Sequence, residues 1–228
     1  MIKKLSNIGD CGIDCDFGDE VNKNINISVI KLFHHVKQEV LKSNLNGILN
    51  YTPSYNKLII NFDLEEINSS KIIDFLKLVD FSKLDFSQKN KMWTIPICYD
   101  FEMDLENMSK TLKINKDEII NTHLNTDFFV YMVGFIPGHP FMGDLNSKLF
   151  LKRLKTPRVK IPPGSVGIVV KFCNIYPYES PGGWNIIGRT PTKLFDAQNE
   201  TSPCLLSPGD SVKFKIISKK EFEKLKNE

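Results

Sequence analysis

The spacing of hydrophobic residues changes period several times along the chain, and each change marks an element. Ile2–Ile8 and Cys11–Phe17 alternate apolar and polar positions, and Gly9-Asp10 between them signals a hairpin turn. From about Asn24 to Ser43 the period becomes helical. Val29, Ile30, Phe33, Val36, Val40 and Leu41 share one face and leave Lys31, Lys37, Gln38 and Lys42 outside it. Ile48–Thr52 and Lys57–Phe62 read as a strand pair around Pro53-Ser54. Ser69–Val79 is a second helix with Ile72, Ile73, Leu76 and Val79 on one side. The order strand, strand, helix, strand, strand, helix predicts a small sheet covered on one face by two helices.

Between Asp80 and Lys91 the periodicity is lost, which places a domain boundary near residue 88 and divides the chain into 1–88 and 89–228. Met92–Tyr99 is a strand in which Pro96 demands an edge or a bulge. Leu105–Leu112 and Lys116–Leu124 are short helices, the second opening after Asn115 as N-cap. From Asp127 onward come short apolar runs punctuated by Gly and Pro, with no long helical period until the last ten residues. That pattern predicts a β barrel. The fold class expected is α+β: a small α/β sandwich at the N-terminus followed by a β-barrel domain.

Composition narrows the class. Of 228 residues, 41% are hydrophobic and 25% charged, which excludes a disordered tail, a collagen-like chain and a coiled-coil rod. The longest apolar runs, such as Phe128–Gly134, fall well short of the roughly 20 residues of a membrane span. The opening Met1-Ile2-Lys3-Lys4-Leu5 lacks the apolar core of a signal peptide, so a cytoplasmic location is expected. The net charge is only +3 and the lysines are interspersed with acids, so no basic stripe suggests nucleic-acid binding. Five scattered cysteines contain no C-x-x-C pair. Cys11 and Cys15 fall on the same side as Ile13 and Phe17, as small core residues.

The candidate chemistry concentrates in Gly134–Pro191, which holds eight of the thirteen Gly, eight of the twelve Pro and all three Arg. In a lysine-rich chain, Arg153, Arg158 and Arg189 suggest a need for the planar guanidinium, whose fork binds carboxylate or phosphate through two donors. Arg158 and Arg189 are the stronger candidates for a pocket; the alternative is an Arg that ties loops together through carbonyls. Gly138, Gly143, Gly164, Gly182 and Gly183 sit in Pro- and Gly-rich turns that let the backbone approach a ligand. Gly183 to Thr190 has the spacing of a phosphate-binding loop, but Trp184-Asn185-Ile186-Ile187 is strand-like and Pro191 disfavours a helix, so that reading is rejected. His34 and His35 lie mid-helix without chemistry. His123 either caps carbonyls or reaches a pocket, and His139 is a general acid/base candidate or a pocket wall. No metal constellation is visible.

Several blocks resemble a known family. They are Tyr131–Gly143, Thr156-Pro157-Arg158, Pro163–Ile168 and Ile175–Pro191, with Ser180-Pro181-Gly182-Gly183-Trp184 and Gly188-Arg189-Thr190-Pro191 the most specific. Together with Gly9–Gly12, Phe17-Gly18-Asp19 and Leu206–Asp210 they are similar to the KipI / allophanate hydrolase subunit 1 family over nearly the whole chain. The sequence departs from the usual pattern at His139, where an aromatic is common, at Lys171–Asn174, where a Gly-rich turn is common, and across Tyr99–Leu105.

The resemblance implies a cyclophilin-like barrel as the second domain and membership of a 5-oxoprolinase system. In such a system this polypeptide works with a paralogous partner, the 5-oxoprolinase C-subunit, and a third hydrolytic component to open the lactam of 5-oxoproline. ATP with Mg2+ is expected to be bound by the complex. The residues to which the resemblance assigns catalysis are His139, Arg158 and Arg189. The pocket is expected from Pro137, Gly138, Pro140, Phe141, Gly164, Ser165, Tyr176, Ser180, Gly182, Gly183, Trp184 and Thr190. Other roles in the family are inhibition of a sensor histidine kinase and the carboxyltransferase part of a urea amidolyase-like system.

Overall fold

A computed structural model describes residues 1–85 and 90–227, and the boundary expected near residue 88 lies outside the described residues. The chain divides into two compact units, Met1–Asn90 and Lys91–Glu228.

In the first unit the elements are β1 (Lys4–Ile8), β2 (Gly12–Asp16), α1 (Lys23–Leu41), β3 (Ile48–Pro53), β4 (Lys57–Phe62) and α2 (Ser69–Lys77). The strands form an antiparallel sheet in the order β1-β2-β4-β3. Alternation along β2 and β4 sends Ile13, Cys15, Leu58, Ile60 and Phe62 to one face. There they pack with Val29, Leu32 and Val36 of α1 and with Ile72 and Leu76 of α2. Both helices are capped by asparagine: Asn22 accepts from the Ile25 N–H and Asn68 from the Lys71 N–H. His34 and His35 of α1 are half-buried. Cys11 is a correction, because it is exposed rather than part of the core. The alternation does not reach it: Cys11 belongs to the turn between β1 and β2, and the strand begins at Gly12.

The second unit contains β5 (Met92–Ile97), α3 (Leu105–Leu112), α4 (Lys116–Leu124), β6 (Phe128–Val133), β7 (Pro140–Gly143), β8 (Arg158–Ile161), β9 (Ser165–Val169), β10 (Phe172–Ile175), β11 (Ser180–Gly182), β12 (Asn185–Arg189), β13 (Ser211–Ile216) and α5 (Lys219–Lys226). Seven strands pair in the order β12-β9-β10-β7-β6-β13-β5. All neighbours are antiparallel except β13 and β5, which run parallel from Ser211↔Met92 to Ile216↔Ile97. Pro96 is tolerated because β5 is a terminal strand, paired as a strand only with β13. A bridge between Cys98 and Arg189 then joins the β5 end of the sheet to β12, so the sheet is nearly a closed barrel. β8 and β11 form a separate two-stranded ribbon.

The main core of this unit takes Ile95 and Ile97 from β5, Val130 from β6, Met142 from β7, Val166 and Ile168 from β9, and Cys173 and Ile175 from β10, together with Leu105, Met108 and Ile119 from the two helices. His123 is fully buried beside it, with Nδ1 2.8 Å from the Tyr99 hydroxyl and the ring against Phe128 and Phe214. It therefore neither caps carbonyls at the surface nor reaches a pocket. Asp210 ties a turn to the first strand: its carboxylate accepts from Lys91 N, Trp93 Nε1 and Ser207 N. No helix among the described residues is long and apolar enough to cross a membrane.

Candidate functional site

Strand alternation places a second set of residues on the face of β7, β10 and β9 opposite the main core. Cys173 and Ile175 point into the core, so Asn174 and the following Tyr176 point away from it. The register sets Asn174 beside Phe141 of β7 and opposite Gly167 of β9. Tyr176 donates its backbone N–H to the Ser165 carbonyl, which brings Ser165 to the same region. Tyr176 also packs with Ile161 of the ribbon and Ile186 of β12 in a small cluster of its own, with Met103 against it.

His139 is the centre of this face. It is 2% exposed, stacks on Phe141 at 4.8 Å and meets Tyr176 edge-on at 5.2 Å. Its Nε2 lies 2.9 Å from Asn174 Nδ2. With the Asn174 amide oriented this way its nitrogen donates and Nε2 accepts, which puts the ring proton on Nδ1; the reversed amide would exchange the two. Burial lowers the pKa of His139 to about 4, which keeps the ring neutral near pH 7. Nδ1–H is thus a buried donor with no partner among the described residues. Trp184 continues the aromatic wall, with its ring 6.0 Å from Phe141. Burial also pushes the Tyr176 hydroxyl up.

The β8–β11 ribbon contributes Arg158 and Ser180. Arg158 pairs across the ribbon with Gly182, where an added Cβ would run into the Tyr176 hydroxyl. Gly183 is buried, and its carbonyl accepts from Leu154 N; a Cβ there would lie 3.6 Å from Arg153 Nε. Arg158 Nη2 is bound to Asp104 Oδ1, and Asp104 Oδ2 accepts from the Ile186 N–H at 2.6 Å. Ser165 Oγ, Asn174 Oδ1, Ser180 Oγ and Arg158 Nη1 are all buried without a partner. Buried polar groups normally find partners, so this concentration on one face points to a ligand.

The remaining candidates lie elsewhere. The Arg189 guanidinium packs over Phe101 and Phe222 at 4.8 and 5.5 Å, and its Nη2 donates to the Pro163 carbonyl. It joins α5 to the barrel seam and is not brought to His139. Gly164 and Thr190 form the adjoining corner: Thr190 N donates to Gly164 O, and Gly164 has φ +77°. Pro137 is exposed, while Gly138 at φ +74° lies against Leu194 and Phe195, and Pro140 is buried at the start of β7. Gly183–Thr190 contains the strand β12, consistent with rejecting a phosphate-binding loop. Sequence reasoning missed Asp104, for which an acid just before a helix was the one signal, and Asn174, which lay within an atypical segment. Two cavities of about 490 and 430 Å³ lie away from this face, one beside α4 and one in the first unit.

The family description "carboxyltransferase domain, subdomain C and D" matches residues 3–206. The B-subunit of 5-oxoprolinase from Bacillus subtilis is 32% identical over 99% of this chain and 97% of its own length. A protein of the same name from Haemophilus influenzae is 43% identical over 53% of this chain and 57% of its own. Among solved structures, TTHA0988 superposes with a TM-score of 0.78 at 28% identity, covering 90% of this chain, which spans 40% of that one.

Proposed function

The chain belongs to the family of carboxyltransferase subdomains C and D, and from that premise we propose that it works as the B-subunit of an ATP-dependent 5-oxoprolinase. It acts with the paralogous C-subunit and a third hydrolytic component to convert 5-oxoproline to L-glutamate in the cytoplasm. The observation that carries this reading is the match along 99% of the chain to a relative of that name.

A five-membered lactam resists water because its nitrogen donates electrons into the carbonyl. ATP, with Mg2+, is a substrate of the complex, and its γ-phosphoryl group passes to the lactam oxygen with release of ADP. Water then adds to the activated carbon, the ring C–N bond breaks with a proton going to nitrogen, and phosphate leaves. Among the described residues there is no group of three or more His, Cys, Asp or Glu that could hold a metal ion. Mg2+ would be carried in chiefly by the phosphates of the nucleotide, since this ion keeps most of its waters and needs only one or two protein oxygens.

This chain's own residues bind, orient and exclude water. Neutral His139, with its proton on Nδ1, offers that N–H as a donor to a carbonyl oxygen. Asn174 fixes the ring through Nε2. Phe141, Tyr176 and Trp184 supply flat apolar walls for a small ring. The test is ATP hydrolysis by this protein co-purified with its paralogous C-subunit, with and without 5-oxoproline. Stimulation that needs both polypeptides and the lactam supports the reading; a folded complex with no stimulation overturns it.

A further inference from the structure

Arg158 is held by one nitrogen only. Nη2 is engaged by Asp104, a carboxylate whose side chain is 1% exposed, and Nη1 is buried with nothing to bind. The second oxygen of Asp104 is anchored on the Ile186 N–H, and the Asp104 N–H donates to the Ile186 carbonyl. The pair is thus locked to β12, and the direction of the guanidinium plane is set before any ligand arrives. The positive charge of Arg158 is already matched by Asp104. What remains on Arg158 itself is a directional donor, and the negative charge of Asp104 beside it disfavours a polyanion at Nη1, while Arg153 is a further cation within reach of Tyr176.

We propose that Arg158 Nη1 reads the carboxylate of a small cyclic mono-acid at the face beneath the ribbon, and that Asp104 is the residue that positions Arg158 and disfavours phosphate groups there. Resting on the 5-oxoprolinase reading, this assigns the acid group of the lactam to Arg158 and its carbonyl to His139. Ser180 Oγ, two residues before the cross-strand partner of Arg158, is a second buried group without a partner on the same ribbon. Tyr176, whose ring meets His139 at 5.2 Å and whose hydroxyl lies beside Gly182, the cross-strand partner of Arg158, forms the floor between the two ends of the ligand. The γ-phosphate of the nucleotide then approaches the lactam oxygen from the His139 end, away from Asp104, while the rest of the triphosphate is held elsewhere in the complex.

The test compares 5-oxoproline with 2-pyrrolidone, the same ring without its carboxylate, by calorimetry on the full chain and on its complex with the C-subunit. Wild type binds 5-oxoproline at least about tenfold more tightly than 2-pyrrolidone, the scale of one charge-assisted hydrogen bond, and inorganic pyrophosphate does not compete. Arg158→Lys retains the charge pair with Asp104 but loses the fork, so the preference falls below about threefold while Tm stays near wild type. The double variant Asp104→Asn/Arg158→Gln removes both charges together, avoids a lone buried carboxylate, and also loses the preference. Undiminished preference in Arg158→Lys and the double variant overturns the assignment. Competition by pyrophosphate that depends on Arg158 overturns it as well. Absence of binding by either ring, with lactam-dependent ATP hydrolysis intact, sinks the inference and leaves the enzyme reading standing. Loss of that hydrolysis in the wild-type complex sinks the reading itself.

Discussion

Cys98 and Arg189 exchange two backbone hydrogen bonds, Cys98 N to Arg189 O at 2.8 Å and Arg189 N to Cys98 O at 2.9 Å. This one residue pair joins the two ends of the seven-stranded sheet. The Arg189 side chain reinforces the same seam by lying against Phe101 and the Phe222 ring of α5.

Arg189→Lys keeps the charge but loses the flat stacking surface and the donor to Pro163. A stability loss of about 1–2 kcal/mol is expected, a fall in Tm of roughly 3–6 °C in a chain of this size. Phe222→Ala should lower Tm further through loss of a buried ring. Thermal melts of both variants, set beside lactam-dependent ATP hydrolysis, check this. A large activity loss in Arg189→Lys with an unchanged Tm would return Arg189 to the pocket.

Acid should destabilise the protein in a defined window. His123 and His139 are neutral when folded, with pKa values lowered by burial from 6.5 to about 3 and about 4. The unfolded chain binds protons at these positions first as pH falls, so the stability they contribute is complete above about pH 6.5 and is lost progressively toward pH 4 and then pH 3. Each histidine contributes a slope of about 1.4 kcal/mol per pH unit within its window. Denaturant melts between pH 7 and pH 4 measure it. A flat profile in that range would contradict the burial of both rings.

Two backbone positions should respond more sharply than their surroundings. Gly164 has φ +77° and faces the Thr190 carbonyl, so Gly164→Ala is strained by conformation and by contact at once. The expected loss exceeds about 2 kcal/mol. Asp210→Ala strands three N–H donors, from Lys91, Trp93 and Ser207, at an expected cost of roughly 2–4 kcal/mol. Urea titrations of each variant suffice, and an effect below about 0.5 kcal/mol at either site would be the failing result.

Thiol labelling separates the five cysteines. Cys11 is exposed and Cys204 partly so, whereas Cys15, Cys98 and Cys173 are buried. In native buffer Cys11 should react promptly, Cys204 more slowly, and the other three only after unfolding. Mass spectrometry of the labelled peptides shows the order. Prompt labelling of Cys15 would mean that the face of β2 is not packed as described.

Most of the first unit was legible, since its helices and strands carry apolar periods, but the stripe of α1 was drawn off-centre: Leu41 is exposed, and Leu32, not read as part of it, is buried. Cys11 was misread for a local reason: the alternation continues through the letters of a turn that is not part of the strand. The barrel was legible only as a class. Nothing local indicates that β5 pairs parallel with β13, because the partners stand more than a hundred residues apart. A separation of 54 residues likewise hid the union of Asp104 with Arg158, which no spacing rule connects. Rarity of arginine did point to Arg158 and Arg189 alike, but it could not foretell that the first pairs with Asp104 and the second packs on Phe101 and Phe222, each with one buried nitrogen left unpartnered. His139 was found by its rigid turn, whereas its neutrality depends on Asn174 and burial that only the assembled face provides.

The placement of β13 between β6 and β5 has a consequence for how the second unit comes into being. Its earliest strand leaves the ribosome with an open flank that only its last strand can cover, so β5 must wait while everything between them is synthesised. Closure of the barrel is therefore a late event, and a nascent chain halted before Ser211 exposes Trp93, Ile95 and Ile97 to chaperones rather than folding in stages.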